Sequence, residues 1–234
     1  MGYSLALMNW VQDYQLFLFD FDGLLVDTES LHFAAYAELC RRYGYVLTWD
    51  FKQFCLEAHT EAMGVWKGLF REFPELFEKQ PNKEILYEEK KVIYLELLAK
   101  SKLELMAGAA ELLATLAKLG AKRAVVTNSP RLHIELIQAA LPQLKTIPLW
   151  VTREDYAQPK PSPEGYLKAI EVLGKPGDRI IGFEDSAKGL KALLGAGVEG
   201  VLVCPSQMDH VKECVALGAK HCEALSQVSD IYQK

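Results

Sequence analysis

The sequence predicts an α/β protein: a three-layer core with a mostly parallel sheet, carrying an inserted all-helical domain. Two observations lead there. Apolar, strand-like runs alternate with helical patterns of crossover length through most of the chain, which is how parallel sheets covered by helices on both faces are built. Between Thr28 and about Lys102, by contrast, only helical periodicity occurs, so roughly 70 residues there form helices without strands.

The first strand is read from Tyr14 to Phe21, YQLFLFDF, whose aromatic and aliphatic content lacks clean alternation and so suits burial on both faces. Ala121–Thr127, Arg179–Phe183 and Gly200–Cys204 repeat this character. Thr146–Val151 is weaker, and Pro148 points to an edge or irregular strand. Helices are expected at Ala109–Leu119, stopped by Gly120, and at Arg131–Leu141 after Ser129–Pro130. Two more run from Ser162–Pro163 to about Leu173 and from Ser186 to Gly195 or Gly197. In the insert, Leu31–Tyr43, Phe51–Phe73 (broken near Gly64 or Gly68) and Lys83–Ala99 read as helices. Leu225–Lys234 reads as a terminal helix or loose tail. Residues 1–27 with 103–234 therefore form the core and 28–102 the insert.

Half of the 234 residues are hydrophobic and 24% are charged, a globular mixture with enough chain for a sizeable core. The net charge of −5 offers no general attraction to nucleic acid or an acidic membrane, and no obligate protein partner is inferred. The apolar Leu16–Phe19 run, ended by Asp20 and Asp22, is far short of the about 20 residues a bilayer needs. No secretory leader pattern precedes it, so a cytoplasmic location is expected. Five scattered cysteines without a CxxC pair read as free thiols.

Asp20 and Asp22 end the first strand, where open parallel sheets bind ligands. Two such carboxylates are costly in a dry pocket unless a cation, a proton or a reaction offsets them. A hard ion such as Mg²⁺ suits these oxygens and can bring a phosphate to them. Gly23 lets the chain turn directly afterwards. The string DFDGLLVDT resembles the first motif of the haloacid-dehalogenase-like (HAD) superfamily, in its helical-cap phosphatase and beta-phosphoglucomutase-like branch.

The resemblance implies a Rossmann-like core with a mobile helical cap that excludes water and contributes specificity. It implies that Asp20 attacks phosphorus and becomes an aspartyl phosphate, while Asp22 acts as general acid and then base. The Asp22 carbonyl is expected to help hold the metal, and the Asp22 carboxylate argues against a dehalogenase. Thr127, in AVVTNSP, matches the second motif, with Asn128 and Ser129 as further phosphate contacts beside Gly23. Lys160, in PKPSPE, matches the third and would be a fixed positive partner for Asp20 and the phosphoryl group. Glu184, Asp185 and Ser186 match the fourth, GxEDS: Asp185 would bind Mg²⁺, Glu184 would bind it or support its shell, and Ser186 would cap a helix. This requires Asp20 and Asp185 to lie within about 10 Å of each other.

His32, twelve residues after Asp20, matches a histidine of sugar-phosphate mutases that orders the acid/base aspartate. Lys90 and Tyr94 resemble the helical-cap phosphatase pattern or stabilise the cap face. The arginine-bearing loop that clamps a second phosphate in mutases has no clear match, Arg71 being the nearest candidate. Mg²⁺-dependent hydrolysis of a small phosphorylated metabolite is the expected activity. A sugar phosphomutase, or an inactive phosphate-binding or interaction protein, is the alternative. A dinucleotide oxidoreductase fits poorly, because DFDGLLVD stands where GxGxxG would be needed.

Overall fold

The computed structural model describes residues 10–60 and 63–232. Its sheet has six strands, β1 (Leu16–Phe19), β2 (Lys122–Val126), β3 (Leu149–Val151), β4 (Ile180–Glu184), β5 (Glu199–Val203) and β6 (Lys220–Cys222). All pair in parallel in the order β3-β2-β1-β4-β5-β6. That is the doubly wound, Rossmann-like order, which reverses direction beside β1 and opens a crevice at the carboxyl ends of the central strands.

The chain divides into two compact units, one running up to Asp27 and resuming at Glu104, the other Thr28–Leu103. The second unit holds α1 (Glu29–Arg42), α2 (Phe51–Thr60), α3 (Gly64–Glu72), α4 (Pro74–Lys79) and α5 (Lys83–Leu98). Its centre is aromatic: Tyr36 meets Phe54 and Trp66, and Leu39, Leu69, Leu86 and Ile93 are buried around them. The first unit holds the sheet and α6 (Ala109–Lys118), α7 (Arg131–Ala140), α8 (Glu164–Leu173), α9 (Ala187–Gly195), α10 (Val211–Ala216) and α11 (Val228–Tyr232).

Alternation along β1 sends Leu16 and Leu18 to one face and Phe17 and Phe19 to the other. The leucine face packs with Ala124, Val126 and Leu202 against Tyr166 and Ala169 of α8 and Leu190 and Leu193 of α9. On the opposite face Phe19 stacks on Phe183, and Trp10 meets Phe17, Phe183 and Tyr232. None of the five cysteines is in a disulfide, and all are buried. Among the described residues no helix is long and apolar enough to cross a membrane.

Several elements differ from the sequence reading. β1 starts at Leu16, because Tyr14 closes a turn onto Val11, and it ends before Asp20. Residues 142–146 form a 3-10 turn opened by Pro142, leaving only Leu149–Val151 as strand, at the sheet edge where Pro148 tolerates having no N–H. Pro74 opens α4, a helix with no strong sequence signal. β6 was not anticipated, being three residues long with two of them half-buried. Ser129 does not cap α7, whose N-cap position is Pro130. Of Leu225–Lys234, residues 225–232 are helical turns, and Gln233 and Lys234 lie outside the described residues.

Candidate active site

β1 delivers Asp20 to the carboxyl end of the sheet, where its backbone N–H still donates to Phe183 O at 3.0 Å. The loop before α8 brings Lys160 to the same point. The ammonium of Lys160 spends its three protons on Asp20 Oδ1 at 2.5 Å, Glu184 Oε1 at 2.6 Å and the Val126 carbonyl at 2.8 Å. Its ring contact with Tyr166, 4.9 Å from Nζ to the centroid, supports it from α8. Tyr166 also donates its hydroxyl proton to Glu184 Oε1. Burial by itself would lower the Lys160 pKa, but the Asp20 and Glu184 carboxylates outweigh it and hold the pKa well above the lysine norm. For Asp20, burial together with the Glu184 and Asp185 charges pushes the pKa well up, against the pull of Lys160.

Asp22 follows on a tight turn in which Gly23 N–H donates to Val26 O at 2.9 Å. Gly23 has φ +77°, a conformation a side chain would strain. The Asp22 carboxylate accepts from Ser129 Oγ at 2.6 Å and Thr127 Oγ1 at 3.3 Å, both just past β2. The Ser129 N–H donates to Thr127 Oγ1 at 2.9 Å, so hydroxyls and turn form one unit. Asn128 Oδ1 accepts from Tyr156 OH at 2.7 Å and the Lys160 backbone N–H at 3.2 Å, tying the β2 loop to the lysine loop. Tyr156 OH also lies 2.7 Å from the Thr127 carbonyl.

At the end of β4, Glu184 is fully buried and Asp185 6% exposed. Ser186 caps α9, its Oγ accepting from Gly189 N–H at 3.2 Å. Gly189 is required: a Cβ there would lie 1.9 Å from Glu184 Oε2. His210 Nε2 sits 3.2 Å from the Asp185 carbonyl.

Asp20, Glu184 and Asp185 each present an oxygen, all within 4.8 Å of one another. The raised Asp20 pKa reflects how costly three charged carboxylates are in a buried space that holds only the single Lys160 ammonium. A hard divalent cation fits this all-oxygen donor set.

Sequence reasoning did not single out Tyr156, Tyr166 or His210. The tyrosines flank Lys160 in sequence and were detectable only as aromatic residues whose polar tips needed partners. His32 belongs to the helical unit, where Lys90 Nζ donates to its Nδ1 at 2.6 Å and its ring stacks on Tyr94, 4.2 Å between centroids. Arg71, 70% exposed, is ion-paired with Glu57 at 2.6 Å.

A family model for haloacid dehalogenase-like hydrolases matches residues 14–197. The chain belongs to this family. Among its HAD relatives is a phosphorylated carbohydrates phosphatase of Thermotoga maritima, 30% identical over 86% of this chain and 90% of that protein. Another is 2-deoxyglucose-6-phosphate phosphatase 1 of Saccharomyces cerevisiae, 31% identical over 80% and 79%. The fold is also similar to that of solved structures. One is CbbY of Rhodobacter sphaeroides in complex with phosphate, with TM-score 0.72, 24% identity and 92% and 96% coverage. Another is beta-phosphoglucomutase of Clostridium difficile, with TM-score 0.75, 20% identity and 94% and 95% coverage. The protein is thus a HAD-type phosphatase.

Proposed function

We propose that this protein hydrolyses a small phosphorylated sugar through an aspartyl phosphate on Asp20, with Mg²⁺ as cofactor. The observation that carries the reading is the division of labour between two carboxylates. Asp20 is fixed by Lys160 beside Glu184 and Asp185, and Asp22 is fixed separately by the Thr127 and Ser129 hydroxyls.

Asp20, Glu184 and Asp185, with the Asp22 carbonyl, would hold Mg²⁺. When bound, the ion neutralises carboxylate and phosphoryl charge. With Oδ1 held by Lys160, the Asp20 carboxylate is fixed in rotation and attacks phosphorus. As the P–O bond to the sugar breaks, Asp22 donates its proton to the departing oxygen, which leaves as an alcohol. A water then attacks the aspartyl phosphate and gives its proton to Asp22. The acyl phosphate P–O bond breaks, releasing inorganic phosphate and restoring the Asp20 carboxylate. Lys160 neutralises charge on the transferred group throughout. Thr127 and Ser129 hold Asp22 in place, and the Thr127, Asn128, Ser129 and Gly23 loops are the proposed phosphate surroundings.

Both relatives named above act on phosphorylated carbohydrates by their names, which favours a sugar phosphate. Hydrolysis is preferred over isomerisation because the second-phosphate clamp has no clear match, and Arg71, the nearest candidate, is ion-paired with Glu57. Phosphate release from a panel of sugar monophosphates, with and without Mg²⁺, tests the reading. D20N should lose about a thousandfold or more in turnover. Undiminished release by D20N would overturn it.

A further inference from the structure

The helical unit carries a second set of metal-ligand side chains, chemically unlike the first. Cys55 and His59 are four residues apart on α2 and so project from one face, one turn apart. Glu29 is the first residue of α1, and its carboxylate approaches His59. A thiol sulfur, an imidazole nitrogen and a carboxylate oxygen from these three residues all lie within 4.8 Å of one another. Cys55 is 5% and His59 6% exposed. We propose that Glu29, Cys55 and His59 bind a Zn²⁺ ion that fastens the first turn of α1 to α2.

Three features favour zinc here. The His59 Nε2–Glu29 Oε2 separation is 3.5 Å. That is long for a charge-assisted hydrogen bond, but it matches the edge of about 3.4 Å that tetrahedral bonds of 2.0–2.2 Å to nitrogen and oxygen subtend. A thiolate and a carboxylate with a neutral imidazole carry two negative charges, which a divalent ion balances. Sulfur and nitrogen donors suit borderline-soft Zn²⁺ and disfavour Mg²⁺, which demands oxygen in near-octahedral array. The all-carboxylate group around Asp20 has the opposite preference, so donor chemistry sorts the two ions between the two units.

The test uses the whole protein, stripped with a chelator and titrated with Co²⁺ in excess Mg²⁺, so that the oxygen-only site is occupied by its preferred ion. Wild type should develop a near-ultraviolet thiolate-to-cobalt charge-transfer band that saturates at one equivalent and is erased by Zn²⁺. Cys55→Ser should abolish the band. His59→Gln and Glu29→Gln should keep a band but bind cobalt at least about tenfold more weakly, since even outer-sphere partners are worth 10–100-fold. The proposal is overturned if wild type gives no band, if the band persists in Cys55→Ser, or if neither His59→Gln nor Glu29→Gln weakens binding. Should Cys55→Ser fail to fold by circular dichroism, the affinities of the other two variants decide. Phosphatase turnover does not enter any of these readouts.

Discussion

At the scale of single residues, the site depends on how many groups share Lys160. Its three protons serve Asp20, Glu184 and the Val126 carbonyl, and Tyr166 supplies Glu184 with an additional donor. Tyr166→Phe removes that donor from a fully buried carboxylate and leaves the ring beneath Lys160 in place. The expected loss is about 1.5–3 kcal/mol of stability, the range for a hydrogen bond to a charged group, read by urea denaturation. Turnover should fall far less than in D20N, because the nucleophile and its lysine remain. Stability equal to wild type would mean that Glu184 is satisfied without Tyr166. Asp20 and Lys160 stood out in the sequence because DFDGLLVDT and PKPSPE resemble the first and third HAD motifs; a strand-end carboxylate pair or a loop lysine alone would not have sufficed. Tyr166 did not, since the same amphipathic helix would place any large residue on its inner face.

At the scale of elements, Glu199 joins the β5 start to β6 and α11. It accepts from Lys220 Nζ at 2.8 Å and Tyr232 OH at 3.0 Å. Partial burial by itself would raise its pKa, but these hydrogen bonds and the Lys220 charge hold it below the usual glutamate value. A depressed carboxyl stabilises the fold above its unfolded pKa, and the contribution disappears as acid protonates the folded form. Glu199→Gln should therefore cost up to about 1 kcal/mol at neutral pH, a third of the side chain being exposed. The difference from wild type should begin to shrink as the pH falls through the ordinary glutamate range, about 4.3, and vanish only once acid has protonated the folded form. Paired melts at several pH values measure this, and a pH-independent difference would show that the carboxylate charge is not the source. The buried strands were legible as apolar runs, and Pro148 marked the β3 edge. β6 was not legible, because Lys220 and His221 are held by pairing with β5, a partner distant in sequence.

At the scale of the whole molecule, strand order is what converts scattered motifs into a site. Residues 20, 127, 160 and 184–185 span most of the chain, yet β1, β2 and β4 are neighbours, and their carboxyl ends meet at the switch point. Sequence supplied the residue types and the motif resemblance. It could not supply the pairing order, the Tyr156–Asn128 tie between loops or the His210 contact, which exist only once distant segments pack. The central claim is that Asp20 carries the transferred phosphoryl group. Acid-quenching the enzyme during turnover and mapping phosphorylated peptides by mass spectrometry tests this most directly. The account predicts a hydroxylamine-labile phosphate on the peptide containing Asp20, absent from D20N. Steady phosphate release with no phosphate ever trapped on Asp20, and with D20N equally active, would contradict it.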